Sequence, residues 1–252
     1  STPEDSILAW SWDFGDGHDT SYTEISSSIT HIFQSSGEYD VKLNIESHVD
    51  TDSLLKTDYI KVYPGNEVTV NPDGSGDFTT IQGAIDGCNI GSIINIASGD
   101  YEENLVIQKL VYLVGSDTGE TIISGESGSS SNKIKAQFSC GIRGLTILNQ
   151  DGGNTLIDIE SGDVSIERNL IKAETSDSYG WMPSLISCRN TSNVVIQNNT
   201  LIYKFNDTEY IEGSNSIYVQ NTATVDINNN IIYSNAADEW GPYGISSYSE
   251  NY

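Results

Sequence analysis

The chain has 252 residues, with 36 Asp or Glu against 11 Lys or Arg and a formal net charge of −25. Such a surface repels polyanions, which argues against nucleic acid and anionic membranes as partners and favours cations or neutral polymers. Cys88, Cys140 and Cys188 lack metal-ligand spacing and are odd in number, against a disulfide framework or a zinc site, and no apolar run is long enough to insert in a membrane.

In chain order, the first segment holds Trp12-Asp13-Phe14-Gly15-Asp16-Gly17, then His31, Phe33, Gly37, Tyr39, Val41 and Leu43. Phe14-Gly15-Asp16-Gly17 reads as a hairpin turn closing a strand, and Tyr39, Val41, Leu43 and Ile45 alternate as a later core strand. This pattern resembles the PKD domain, an Ig-like β-sandwich of extracellular and cell-surface proteins. The resemblance implies such a domain over residues 1–63, lacking about two strands of the usual sandwich at its N-terminal side. Residues 64–67, Pro64-Gly65-Asn66-Glu67, read as a linker.

From Val68 the sequence carries Gly74-Ser75-Gly76-Asp77-Phe78-Thr79-Thr80-Ile81-Gln82, an apolar-periodic stretch from Ile81 to Cys88, Gly99-Asp100-Tyr101-Glu102-Glu103, and Thr121-Ile122-Ile123-Ser124-Gly125. Thr79 or Thr80 can cap a short helix over the open end of a solenoid, because terminal units of a stack must cover their apolar face. The segment is similar to the opening of pectinesterase-type β-helices, within the pectin-lyase-like superfamily.

Four later segments repeat one pattern, starting at Ile134, Ile157, Ile186 and Ile217. Each reads as three short alternating strands. Ile134, Ile157, Ile186 and Ile217 form one apolar column, with Ala136, Ile159, Cys188 and Val219 beside it. Cys140, Val164, Val194 and Val225 form the next, then Ile142, Ile166, Ile196 and Ile227, and finally Ile147, Ile171, Leu201 and Ile232. Spacings of roughly 20 to 30 residues mark a solenoid whose units bury their apolar faces only by stacking. Asn169, Asn199 and Asn230 recur between the second and third strands, with Leu145 in the equivalent place. Asn tolerates the left-handed turn conformation and can hydrogen-bond the copies above and below. This resembles the asparagine ladder of right-handed single-stranded parallel β-helices, so residues 68–252 are expected to form one, truncated at its C-terminal end.

Catalytic residues are harder to place. Aligned on the pectinesterase pattern, Asn154 falls at an oxyanion-stabilising position and Asp177 at the general acid, but Leu185-Ile186-Ser187-Cys188 stands where the resemblance implies an aspartate nucleophile. Without that partner, Asp177 is a weak catalytic candidate. A lyase would need clustered carboxylates for calcium and a basic residue beside them, and no such motif surrounds Arg143, Arg168 or Arg189. Variable insertions between the third strand and the next first strand collect Tyr179, Trp181, Tyr203, Phe205, Tyr210, Trp240 and Tyr243 among acidic residues. Outward positions of the first strands add Lys135, Asp158, Ser187, Tyr218 and Ser246. Aromatic faces stack on sugar rings while carboxylates accept hydroxyl hydrogen bonds. The candidate ligand wall is therefore Asp158, Tyr179, Trp181, Tyr210, Tyr218, Trp240 and Tyr243.

The sequence thus reads as an extracellular or cell-surface module, a PKD spacer followed by a β-helix that contacts polysaccharide. No cofactor is required, although a structural calcium ion is compatible with the acidic loops. The alternatives are a polysaccharide lyase or pectinesterase relative, and a purely structural spacer.

Overall fold

The computed structural model describes residues 7–17, 19–22, 29–126, 131–149, 155–175, 184–189, 193–205, 215–220, 224–234 and 243–248. The chain divides into two compact units, Ser1–Pro64 and Gly65–Tyr252.

Among the described residues of the first unit, β1 (Ile7–Asp13), β2 (Asp19–Tyr22), β3 (Gly37–Ser47) and β4 (Thr51–Val62) form one antiparallel sheet in the order β2-β1-β3-β4. The β1–β2 turn passes through Gly15 and Gly17, both at positive φ. At Gly15 a Cβ would meet the Asp40 carbonyl oxygen at 2.8 Å, so close approach as well as conformation requires glycine there. The residues that marked this segment in sequence also pack together. Phe14 stacks on His31 with centroids 4.0 Å apart, Phe33 meets His31 edge-on, and Tyr39 lies 4.5 Å from Phe33. The Asp16 carboxylate contacts His31 Nε2 at 2.7 Å.

The second unit is a parallel β-helix of three sheets. The first sheet stacks Leu105–Ile107, Ile134–Ala136, Ile157–Ile159, Ile186–Arg189, Asn215–Gln220 and Tyr243–Tyr248. The second runs from Glu67–Val70 through Ser92–Ile96, Val111–Gly115, Cys140–Arg143, Val164–Glu167 and Asn193–Gln197 to Thr224–Asn228. The third runs from Gly99–Tyr101 to Ile231–Ser234. The register reproduces the five expected columns: Ile134, Ile157, Ile186 and Ile217 are paired in line, as are Cys140, Val164, Val194 and Val225. Most of the inward apolar residues of the middle rungs are fully buried. Alternation is what permits this, since successive side chains of a strand point to opposite faces. Strands at Ser92–Ile96 and Leu105–Ile123 extend the stack toward the N-terminus, where Leu105 pairs with Ile134 and Leu113 with Ile142.

A short helix, α1 (Ile81–Gly87), packs Ile81, Ala84 and Ile85 against the first rungs. Thr80 is its N-cap, accepting the Gly83 N–H on its hydroxyl at 3.2 Å. The Glu103 carboxylate accepts the Ile81 and Gln82 N–H groups at 2.9 Å, satisfying two further donors that a helix start leaves open.

The ladder is present, with one correction. Asn169 Oδ1 accepts the Leu145 N–H, Asn199 Oδ1 the Asn169 N–H and Asn230 Oδ1 the Asn199 N–H, at 2.9–3.0 Å. Each Asn amide also donates one rung down, to the carbonyls of Ile142, Ile166 and Ile196. The left-handed residue is not the ladder Asn but the one before it: Gly144, Arg168, Asn198 and Asn229 have φ of 72, 54, 58 and 54°. The preceding residue turns the chain and the ladder Asn ties the turns together.

Candidate functional site

The outward column of the first sheet runs Val106, Lys135, Asp158, Ser187 and Tyr218, and the Ser246 backbone pairs in register with Tyr218. Asp158 and Tyr218 share it two rungs apart, about 10 Å at the ~4.8 Å spacing of neighbouring strands. Tyr243 pairs through its backbone with Asn215 on the same sheet. Asp177, Tyr179, Trp181, Tyr210 and Trp240 lie outside the described residues. Tyr203, read from sequence as part of an insertion, instead continues a third-sheet strand and points into the core at 1% exposure.

Asp158 differs from its expected role. Its side chain is only 2% exposed, covered by Arg189 from the next rung. Arg189 grips both carboxylate oxygens, through Nε at 2.9 Å and through Nη2, and Asn132 Nδ2 donates a third bond at 2.9 Å. Register explains the pairing: Ser187 stands directly across from Asp158, so Arg189, two residues on, is the diagonal neighbour within reach of a long side chain. The bond to Asp158 holds the guanidinium pKa above its ordinary value.

A polar ladder adjoins this pair. Gln108 Nε2 donates to Gln137 Oε1 at 3.0 Å, and Gln137 Nε2 donates to Glu160 Oε2 at 2.8 Å. Glu160 Oε1 receives Lys135 Nζ at 2.9 Å and lies 3.6 Å from Arg189 Nη2. The Gln137 hydrogen bond and then Lys135 hold the Glu160 carboxyl below its ordinary pKa. Two acids and two bases thus neutralise one another over three rungs. Gln108, Gln137, Glu160 and the Arg189 pairing were missed in sequence; their signal was polar residues recurring three positions after the first-column apolar residues Leu105, Ile134, Ile157 and Ile186.

Leu185 and Ile186, at the place of the implied nucleophile, are fully buried. Cys140 and Cys188 line the interior, where burial pushes both thiols up to about 12. Among the described residues, no group of three or more His, Cys, Asp or Glu side chains is arranged to hold a metal ion, and no helix is long and apolar enough to cross a membrane.

The model of the PKD domain family matches residues 1–62. A stretch of 94 residues, 34% of this chain, is 29% identical to "Probable pectinesterase 67" of Arabidopsis thaliana. The chain spans only 27% of that relative's length. Crystal structures of the pectin methylesterase from Aspergillus niger, in two deglycosylated forms, superpose with TM-scores of 0.35 and 0.33 at 14% identity, over 73% of this chain and 90% of theirs. The chain therefore carries an N-terminal PKD domain, followed by a parallel β-helix that shares one stretch of sequence with a pectinesterase.

Proposed function

We propose that this chain is part of an extracellular or cell-surface protein whose β-helix contacts polysaccharide without turning it over, with the PKD domain as spacer. The observation that carries the reading is the mutual neutralisation on the first-sheet face. Acid–base catalysis needs a carboxyl able to exchange a proton with substrate, and nucleophilic catalysis needs one free to attack. Asp158 is enclosed by Arg189 and Asn132, and Glu160 is engaged by Lys135 and Gln137. What this face offers is a fixed row of the Gln108 and Gln137 amides, the partly exposed Glu160 carboxylate and the Tyr218 ring, suited to hydroxyl groups and sugar faces. The enzyme alternative draws on the pectinesterase likeness of one stretch.

Affinity electrophoresis through gels containing neutral or acidic polysaccharides, with and without calcium, tests the proposal. At least one polymer is expected to retard the protein, with several-fold weaker retardation for Gln137→Ala. Trp181→Ala and Trp240→Ala, in the sequence insertions between repeats, are each expected to weaken binding by about 1 to 2 kcal/mol. No retardation across the panel contradicts the reading and leaves the spacer alternative.

A further inference from the structure

The outer face of the second sheet carries a different arrangement. Its outward columns run Ile93, Tyr112, Gly141 and Ser165, and alongside them Asn95, Val114, Arg143 and Glu167. Together they shape an open groove of about 400 Å³, bordered by Ile93, Tyr112, Gly141, Arg143, Ser165 and Glu167.

Gly141 is not needed here for its backbone conformation, as it has no positive φ. Its value lies in the missing Cβ. A Cβ at Gly141 would stand 2.7 Å from Tyr112 Cδ1 and 3.4 Å from Cε1, so the tyrosine ring lies across the glycine. Tyr112 as a residue is nevertheless 43% exposed, and Ile93 beside it is 37% exposed. An aromatic ring supported from below by a glycine and open to solvent is a stacking floor for the C–H face of a sugar.

The polar rim is divided. Glu167 is already claimed: Ser165 Oγ and Gln197 Nε2 each donate to its Oε1 at 2.8 Å. Arg143 is exposed and, among the described residues, makes no hydrogen bond and no ion pair within 4 Å, although it stands across from Glu167 in the register and acts on that carboxylate through space. Lys61, Lys135, Lys172, Lys204 and Arg189 each have a carboxylate partner. A planar guanidinium left open beside an aromatic floor fits an anion bidentately.

We infer that this groove binds a sugar residue bearing an anionic group, its ring on Tyr112 and its anion on Arg143. The site lies on a different sheet from the polar ladder and does not depend on it. The strongly negative charge of the chain does not forbid such a ligand, because at physiological salt charges more than about 8 Å away are largely screened.

Titration calorimetry with three probes separates the outcomes: tetragalacturonate, a sulfated carrageenan tetrasaccharide and neutral galactotetraose. At least one anionic probe is expected to bind ten times or more tighter than galactotetraose, and whichever it is identifies the anion as carboxylate or sulfate. Tyr112→Ala should weaken that binding at least tenfold, and Arg143→Gln should remove the anionic preference. Circular dichroism of both variants checks that the fold is retained, and Tyr112→Phe, which keeps the ring, should bind like the parent. Binding of neither anionic probe, equal binding of all three, or binding unchanged by both variants overturns the inference. Loss of binding in Gln137→Ala but not in Tyr112→Ala assigns the ligand to the first sheet and overturns it equally, leaving the first-sheet proposal intact.

Discussion

The first and second sheets of the β-helix share one interior and differ only outside it. Inward columns on both are apolar and buried, because each rung must cover its neighbour. Outward, the first sheet spends its charges on itself, with Arg189 on Asp158 and Lys135 on Glu160, whereas the second leaves Arg143 open beside Tyr112. Stacking fixes what faces in and is indifferent to what faces out. Chemistry can therefore differ between faces of one solenoid, and function has to be sought in outward columns rather than in the fold.

The sharpest way to break this comparison is to truncate one arginine on each face. Arg189→Ala leaves the Asp158 carboxylate with the Asn132 hydrogen bond remaining, and the expected loss is about 1 to 3 kcal/mol in urea unfolding of the β-helix. Arg143→Ala removes an exposed group that makes no hydrogen bond or ion pair within 4 Å among the described residues, and should change stability by less than about 0.5 kcal/mol. Equal losses would mean that the buried Asp158 carboxylate does not depend on Arg189 as described. The combined Asp158→Asn, Arg189→Gln variant should recover part of the loss, since no uncompensated charge remains.

Next in size is the turn that both faces depend on. Asn199 sits mid-ladder at 1% exposure, accepting from Asn169 and donating to the Ile166 carbonyl. Asn199→Leu should cost about 1 to 3 kcal/mol by orphaning buried backbone groups. Asn198→Gly, at the left-handed position before it, should be nearly neutral, because glycine takes positive φ without strain. The reverse ranking would return the left-handed role to the ladder Asn.

Smallest is an acid-limb effect common to both faces. Hydrogen bonds from Gln137 and from Ser165 hold the Glu160 and Glu167 carboxyls, respectively, below the ordinary value of 4.5. A carboxyl with a depressed folded pKa adds stability that is present above the unfolded value and is lost as pH falls through the folded one. Glu160→Gln and Glu167→Gln should therefore each flatten the fall in stability below about pH 4.5, by less than about 1 kcal/mol for such partly exposed groups. A steeper fall in either variant contradicts the assigned partners.

The interior was legible in the sequence because it obeys two simple periods, alternation along each strand and recurrence from rung to rung. Ile134, Ile157, Ile186 and Ile217 could be aligned without any structure. The rung at Leu105–Ile123 has the same apolar pattern, but Ser116 stands where later rungs carry a ladder Asn, so the repeat was hidden. Tyr203 was misplaced because the strand was ended at Leu201, although alternation carries on through it. The Asp158–Arg189 pair required reading diagonally between rungs, and a column-by-column reading compares only residues directly in line. Tyr112 and Gly141 were invisible for another reason: a ring resting on a glycine is a relation between rungs that neither residue announces alone.

The central claim is recognition without turnover, and one assay addresses it most directly. The protein is incubated with methyl-esterified pectin and with polygalacturonate, with and without calcium, while methanol release and formation of unsaturated uronate are followed. The account predicts neither product, from a protein that still binds polysaccharide. Sustained release of either product that disappears in Glu160→Gln or Asp177→Ala would contradict it and make the β-helix an enzyme.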